Sequence, residues 1–414
     1  MDFGLLGRSL GHSYSPRLHK ALGSYDYGLF ELEPEAVESF LKKGDFRGIN
    51  VTIPYKETVM PHCQSLSPAA REIGSVNLIL KRADGSLYGD NTDACGFQMM
   101  LEGSGISVAG KKVLVLGSGG ASRTVCHVLR EKSAGQVLVI SRSGADNYEN
   151  LERHKNAEIL VNTTPLGMYP HTEAAPLSLA QFPSCQGVLD LVYNPARTQL
   201  LQEAERRGIP HVGGLSMLVY QARAAAERFL NRGISEEKTG EVLHTLQAEM
   251  ENIILIGMPG CGKSVLGRVL AKSLKRDFID ADQVIAAKAG RTIPEVFQQE
   301  GESGFRSRET AALTEIGRQS GKVIATGGGC VTREENYFHL HQNGFIILLE
   351  RPLQDLATKG RPLSQNDSLG ELYKTRLPLY RQFADCAVEN AGSIGEAARR
   401  IKEAVHAHFR HQRP

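Results

Sequence analysis

Ile253-Ile254-Leu255-Ile256-Gly257-Met258-Pro259-Gly260-Cys261-Gly262-Lys263-Ser264 carries an apolar run directly into a glycine-rich turn, and a helical pattern opening Val265-Leu266-Gly267 follows. The setting decides the reading. With a strand before and a helix after, the glycines let backbone N–H groups curl round a polyphosphate, and the helix N-terminus adds its dipole. Lys263 then reaches the transferred phosphate and Ser264 offers its hydroxyl to Mg²⁺. Outside that setting the same string is a glycine-rich turn with an incidental lysine. Gly260, Cys261, Gly262, Lys263, Ser264 and Val265 are therefore the candidate nucleotide-binding run. Such a loop closes the first strand of a parallel sheet and so opens its domain. The residues before Asn252 are expected to form something complete.

A chain of 414 residues has room for two or three domains, each with its own core. Lys plus Arg number 48 against Asp plus Glu 46, so charge gives no reason to expect a nucleic-acid or membrane-surface partner. Small acidic ligands read by local arginines stay open, as does an oligomer. The longest apolar runs, such as Phe345 to Leu349, fall far short of the ~18 residues of a membrane span, and Met1-Asp2-Phe3 lacks a basic leader. The seven cysteines are scattered without C-x-x-C or metal-ligand spacing, as expected of reduced thiols in a cytoplasmic protein. His406, His408, Arg410, His411 and Arg413 close the chain, and are read as a solvated helix end and tail rather than a metal site.

Upstream, Phe3 to Gly7 reads as a buried strand, and Gly11-His12-Ser13-Tyr14-Ser15-Pro16 as a loop whose proline starts a helix. By itself the Ser-x-Ser-Pro run is a turn and helix cap. Gly48-Ile49-Asn50-Val51-Thr52-Ile53-Pro54-Tyr55-Lys56 is a strand ending in a proline-stiffened corner with a lysine. Ile73-Gly74-Ser75-Val76-Asn77 and Gly89-Asp90-Asn91-Thr92-Asp93-Ala94-Cys95-Gly96-Phe97 follow. Each puts a polar side chain at the end of an apolar run, where open α/β sheets bind ligands.

These segments resemble those of shikimate dehydrogenases, matching H-S-x-S-P, N-V-T-x-P-x-K, I-G-x-V-N and N-T-D-x-x-G-F in order and approximate spacing. The resemblance implies that Ser13, Ser15, Thr52, Asn77 and Asp93 bind the hydroxyls and carboxylate of shikimate, and that Lys56 with Asp93 forms the catalytic pair. The chemistry is consistent, because ketone reduction needs a proton delivered to a developing alkoxide, and a lysine held by a carboxylate both steadies that charge and supplies the proton. A surface ion pair is the plainer alternative for these two residues. Leu78 stands where the family usually has threonine, and Lys20 where asparagine usually follows the histidine at His19.

Next, Lys111 to Leu116 is a buried-strand run that Gly117-Ser118-Gly119-Gly120-Ala121-Ser122-Arg123 turns into a helix. A glycine cluster alone separates poorly from a tight strand-to-helix turn. The strand Val137 to Ile140 supports the dinucleotide reading, since it ends roughly 20 residues on at Ser141-Arg142-Ser143, where the adenosine ribose is read. An acidic residue there would select NAD. Arg142 is suited instead to clamp a 2′-phosphate, which points to NADP. Val161-Asn162-Thr163-Thr164-Pro165-Leu166-Gly167-Met168 and Asp190-Leu191-Val192-Tyr193-Asn194-Pro195 again resemble the dehydrogenase family. The resemblance implies that Leu191 lies against the nicotinamide, Tyr193 faces substrate, Gly214 touches cofactor and Gln221 binds substrate. Gly213-Gly214-Leu215-Ser216-Met217-Leu218-Val219-Tyr220-Gln221-Ala222 is expected to bring the chain back to the first lobe as a helix, and the family's usual tryptophan after it is missing, for the chain has none.

Glu236 to Glu251 carries Val242, Leu243, Leu246 and Met250 at helical spacing, and no flexible linker separates it from Asn252, so the two halves are expected to be held semi-rigidly. Beyond the P-loop, Phe278-Ile279-Asp280-Ala281-Asp282 ends in two carboxylates, with Asp280 suited to Mg²⁺ and Asp282 to a substrate hydroxyl. Phe305-Arg306-Ser307-Arg308-Glu309, Thr326-Gly327-Gly328-Gly329, Gly360-Arg361-Pro362-Leu363 and Arg376-Leu377-Pro378-Leu379-Tyr380 complete a set that resembles shikimate kinase. The implied roles are Arg306 and Arg376 on the substrate carboxylate, Glu309 orienting Arg306, Gly328 and Gly329 admitting substrate to the backbone, and Arg361 closing on the phosphates.

The expected architecture is thus α/β throughout: a substrate lobe over residues 1–95 and 214–250, a Rossmann-type NADP lobe over 96–213, and a P-loop parallel-sheet kinase over 251–414. The expected ligands are NADP(H), ATP, Mg²⁺, 3-dehydroshikimate and shikimate. Preference for quinate or NAD in the first half, or a metabolite-sensing regulator without catalysis, are the competing readings.

Overall fold

The computed structural model describes residues 2–11, 13–356 and 369–411. Three sheets organise it. The first contains β1 (Phe3–Gly7), β2 (Tyr27–Glu31), β3 (Gly48–Val51), β4 (Ser65–Leu66), β5 (Leu78–Lys81) and β6 (Leu87–Asp90) in the order β2-β1-β3-β5-β6-β4. β1 is parallel to β2 and β3, whereas β5 runs antiparallel to both β3 and β6. β3 therefore ends beside the start of β5, with Asn50 opposite Leu78, and this brings the Thr52–Lys56 corner near Asn77.

The second sheet is fully parallel, with β7 (Lys112–Leu116), β8 (Gln136–Ile140), β9 (Ile159–Asn162), β10 (Gly187–Asp190) and β11 (His211–Gly213) in the order β11-β10-β9-β7-β8. Helices cover both faces of such a sheet, so its strands read as unbroken apolar runs such as Val113 to Leu116. The order reverses beside β7, and sheets of this kind bind ligands at the C-terminal end of the strand where it does so.

The third sheet is also parallel: β12 (Asn252–Ile256), β13 (Phe278–Asp280), β14 (Val323–Ala325), β15 (Gly344–Glu350) and β16 (Cys386–Glu389), ordered β13-β14-β12-β15-β16. β12 lies at the centre, so the glycine turn after Ile256 stands over the middle of the sheet edge. The helix begins at Lys263, two residues earlier than the apolar pattern suggests.

Helix Leu215–Leu230 returns from the second sheet to the first, packing tightly on helix Thr92–Ser104. Gly96 makes that approach possible, because a Cβ there would lie 2.6 Å from the Met217 carbonyl oxygen. The junction helix Glu236–Met250 is capped by Ser235 and buries Val242, Leu246 and Met250 against Leu18, Leu22, Val219 and Ala222. The C-terminal helix Ile394–His411 departs from expectation at its end. His408 is not solvated: its ring stacks on Phe345 at 3.9 Å and pairs with Glu251 at 2.9 Å. Among the described residues, no helix is long and apolar enough to cross a membrane.

Candidate active sites

In the first sheet, Lys56 stands in the turns after β3, and Asp93 in the first turn of helix Thr92–Ser104, capped by Asn91. Lys56 Nζ meets Asp93 Oδ2 at 2.5 Å, with both side chains mostly shielded from water. Their order in the sheet explains the meeting, since the corner after β3 and the helix after β6 both rise from one sheet edge, on either side of β5. Thr52 continues that edge, its N–H donating to the Leu6 carbonyl at 2.9 Å. Ser13 Oγ accepts the Ser15 N–H at 3.2 Å at the start of helix Ser15–Leu22. Gln221 sits on the return helix directly over Gly96, with Nε2 donating to the Leu218 carbonyl.

Asn77 carries a structural load that its motif does not announce. Its Oδ1 accepts the Thr92 N–H at 2.7 Å, and its Nδ2 donates to Thr92 Oγ1 at 3.1 Å, tying β5 to the helix that holds Asp93. The Arg123 guanidinium pairs with Glu57, next to Lys56, and so bridges the two lobes; the sequence reading missed this contact.

At the second sheet's switch point, Gly117 takes φ +103°, a left-handed backbone that disfavours any side chain. Its N–H donates to the Ile140 carbonyl at 2.8 Å, which sets the glycine turn beside Ser141, Arg142 and Ser143. Ser118, Gly119, Arg142 and Ser143 are exposed, and Gly120 and Ala121 lead into helix Gly120–Glu131. Gly214 presses against the Leu191 carbonyl too closely for a Cβ. Tyr193 meets Tyr14 edge to face, the centroids 5.9 Å apart, so the second lobe touches the loop between Ser13 and Ser15. Beneath these residues Asp190 is fully buried, accepting from Asn162 Nδ2 at 2.9 Å, the Val192 N–H at 3.0 Å and Thr198 Oγ1 at 2.7 Å. Burial nevertheless pushes its carboxyl up to about 6.

A cavity of about 490 Å³ opens over the third sheet, lined by Gly260, Gly262, Lys263, Ser264, Val265, Asp282, Arg306, Glu309, Gly327, Gly328, Gly329, Arg351 and Arg376 among others. Cys261 lies fully buried beneath the loop. Lys263 Nζ donates back to the Gly257 carbonyl at 2.8 Å and the Met258 carbonyl at 3.1 Å. Asp280 caps helix Ala281–Ala289 by accepting the Asp282 N–H at 3.1 Å, which turns Asp282 into the cavity. Arg306 is fixed by Glu309 at 2.7 Å and Glu302 at 3.1 Å. Burial pushes the Glu309 carboxyl up, against the pull of Arg306. Arg306 Nε and Glu309 Oε1 are buried with no hydrogen-bond partner among the described residues. Arg376 Nη1 and the Tyr380 hydroxyl both donate to the Gly328 carbonyl.

Two contributors were not found from sequence, and a third, inside the Arg376–Tyr380 run, had no role assigned to it. Arg351 follows β15 into the cavity, Tyr380 holds Gly328, and Asn390, just past β16, donates to the Cys261 carbonyl at 2.6 Å. The rule that ligands gather at strand C-termini pointed to such positions, but which strands neighbour β12 was not legible. Arg361 and His12 lie outside the described residues.

Fold and sites together define a fusion of two enzymes: a two-lobed dehydrogenase with a Rossmann-type lobe, and a P-loop kinase. The family profile "Shikimate dehydrogenase substrate binding domain" matches residues 5–79, and "Shikimate kinase" matches residues 259–406. Shikimate dehydrogenase (NADP(+)) of Clostridium perfringens is 39% identical over 261 residues, 58% of this chain and 95% of that protein. That of Methanothermobacter thermautotrophicus is 41% identical over 249 residues, covering 53% and 87%. Among solved structures, a chorismate mutase/shikimate 5-dehydrogenase fusion protein from Clostridium acetobutylicum superposes with TM-score 0.56 at 34% identity, over 59% of this chain and 96% of the other. Shikimate 5-dehydrogenase from Thermus thermophilus, in complex with NADP(H) and shikimate, gives TM-score 0.53 at 34% identity, covering 59% and 99%. The chain belongs to the shikimate dehydrogenase family and carries a shikimate kinase domain behind it.

Proposed function

We propose that this chain performs two consecutive reactions of the shikimate pathway of aromatic amino acid biosynthesis. Its first half reduces the C3 ketone of 3-dehydroshikimate to shikimate with NADPH, and its second half transfers the γ-phosphoryl of ATP to shikimate, giving shikimate 3-phosphate. Substrate binding falls to residues 1–95 and 214–250, NADP to 96–213, and phosphorylation to 251–414. The observation that carries the reading is the kinase cavity, where the P-loop Lys263, Asp282, Arg306 and Arg376 share one space. Those arginines fit an acceptor that bears a carboxylate as well as a hydroxyl. Both family matches then converge on one compound, as product of the first half and substrate of the second.

The residues suit the bound groups. The left-handed Gly117 turn suits a dinucleotide pyrophosphate and Arg142 beside it a 2′-phosphate, and Lys263, folded on loop carbonyls, has acceptors that a polyphosphate would replace. Among the described residues no three His, Cys, Asp or Glu side chains cluster, but Mg²⁺ bound with a nucleotide needs only Ser264 and Asp280 beside phosphate oxygens. When bound, NADPH supplies the hydride, ATP the phosphoryl group, and Mg²⁺ charge neutralisation.

In the first site, Lys56 holds a proton at the ketone oxygen and releases it there as the alkoxide develops, while Asp93 holds the ammonium in place. In the second, Asp282 accepts a hydrogen bond from the attacking hydroxyl, and Arg306 and Arg376 orient the ring through its carboxylate. All seven cysteines are free thiols, in keeping with a reducing, cytoplasmic setting.

A coupled assay with dehydroshikimate, NADPH, ATP and Mg²⁺ tests the reading. It predicts one ADP for each NADPH oxidised, and absence of both products would overturn it. Parallel rates with NADH and with quinate decide the substrate and cofactor preference.

A further inference from the structure

Just beyond Tyr193 the dehydrogenase half is fastened to the kinase half. The Ala196 N–H donates to Asn343 Oδ1 at 2.8 Å and the Arg197 N–H to the Gln342 carbonyl at 2.9 Å. The Arg197 guanidinium reaches the His341 carbonyl at 3.1 Å and Glu251 Oε1 at 3.2 Å. Glu251 is itself buried; burial pushes its carboxyl up, but His408 and Arg197 hold it below the ordinary range. Asn343 is a buried hub. Its Nδ2 donates to the Arg318 carbonyl at 3.2 Å, and its own carbonyl accepts the Asn252 N–H at 2.7 Å, at the start of the strand leading to the P-loop. His341 pairs with Glu205 at 2.8 Å, and the Arg206 guanidinium lies 4.3 Å over the Phe338 ring.

The segment so fastened is short and tied at both ends. Asp190 anchors its base through the Val192 N–H and returns to it through Thr198, and the Asn194 carbonyl accepts the Tyr169 N–H at 2.9 Å. Between these ties stand Leu191, against Gly214, and Tyr193, against Tyr14. The outer tie is made by the kinase half. Without it, two backbone donors and a guanidinium lose their partners, and the span bearing Tyr193 loses a support.

We infer that Arg197 and Asn343 are positioning residues for the reduction step: the kinase half holds the Leu191–Tyr193 span in register with the Ser13–Ser15 loop. This rests on the reading that Tyr193 faces the dehydrogenase substrate. An ordinary domain contact would join the halves without touching substrate affinity. A positioning contact changes it, because displacing a substrate-facing group removes binding made equally to ground and transition states, which raises KM and spares kcat.

The test uses the full chain with Arg197→Ala and Arg197→Lys, read by amide hydrogen exchange over residues 191–198 and by steady-state rates of both reactions. For Arg197→Ala the expected result is exchange faster by about tenfold in that segment and a KM for dehydroshikimate raised roughly five- to tenfold. kcat should change less than twofold, phosphorylation of supplied shikimate should be unaltered, and Arg197→Lys should recover most of the loss by keeping the charge toward Glu251. Unchanged exchange, or unchanged KM in an active Arg197→Ala chain, overturns the inference. A wild-type chain that does not reduce dehydroshikimate counts instead against the proposed function.

Discussion

The Arg306 guanidinium lies against the backbone of Gly329, so close that a Cβ on Gly329 would fall within its atoms. Arg306 cannot retreat easily, since it is buried and held by Glu309 at 2.7 Å. A glycine read from sequence as admitting substrate thus has a second task, that of seating the arginine. Gly329→Ala should displace the guanidinium and lose the charge-assisted pair proposed between Arg306 and the acceptor carboxylate, raising KM for shikimate by roughly 10- to 100-fold. Dehydroshikimate reduction by the same variant should be unchanged. An unaltered kinase KM would show that Arg306 does not hold the acceptor.

Two single substitutions should separate the reactions. Lys56→Ala removes the proposed proton donor, paired with Asp93 at 2.5 Å, and should slow reduction by roughly 10²- to 10⁴-fold, leaving phosphorylation of supplied shikimate intact. Lys263→Ala should do the reverse. Initial rates of both activities on both variants check this, and survival of both activities in both variants would refute the assigned sites.

What the sequence disclosed follows a physical pattern. The placement of Lys56, Asp93, Lys263 and Asp282 was legible because each lies in a short contiguous motif at the end of an apolar run, where chain direction alone sets it at a sheet edge. Arg351 and Asn390 follow β15 and β16 without any motif, and only the order β14-β12-β15-β16 brings them toward the P-loop. The seam draws on Arg197, Glu251, Asn343 and His408, four residues that no local pattern relates. His408 looked like part of a solvated tail because helical spacing says nothing of a ring stacking on Phe345. Asn77 was assigned to substrate, and its bonds to Thr92 were invisible because they depend on antiparallel β5 and β6 lying side by side.

Asp190 gives a pH prediction. Its carboxyl has an ordinary value of 3.8 and is pushed up by burial to about 6 in the folded chain. Between those values the folded state holds a proton that the unfolded state releases. This group's contribution to stability is therefore greatest below about 4, declines as pH rises to about 6, and then stays level. Asp190→Asn removes the titration while keeping an oxygen for the Asn162 and Val192 donors. The stability difference between Asp190→Asn and wild type should shift in favour of the variant from pH 4.5 to pH 7, by an amount on the order of 2 kcal/mol. Urea midpoints at the two pH values measure it, and a pH-independent difference would mean that Asp190 folds with an ordinary titration.

Arg351 should belong to the nucleotide side of the kinase cavity. The other cations there are already engaged, Lys263 by loop carbonyls, Arg306 by Glu309 and Glu302, and Arg376 by the Gly328 carbonyl. Arg351 has no carboxylate partner among the described residues, and it leaves β15 directly beside the strand that ends in the P-loop. A guanidinium with no carboxylate partner among the described residues adds positive potential at that edge, where the proposed nucleotide would place its polyphosphate. Arg351→Ala should therefore raise KM for ATP by roughly 3- to 10-fold, the loss of one partly exposed charged contact, with KM for shikimate unchanged. Arg351→Lys should fall between the two, since an ammonium keeps the charge but not the fork. An effect on shikimate instead of ATP would move Arg351 to the acceptor side, beside Arg306 and Arg376.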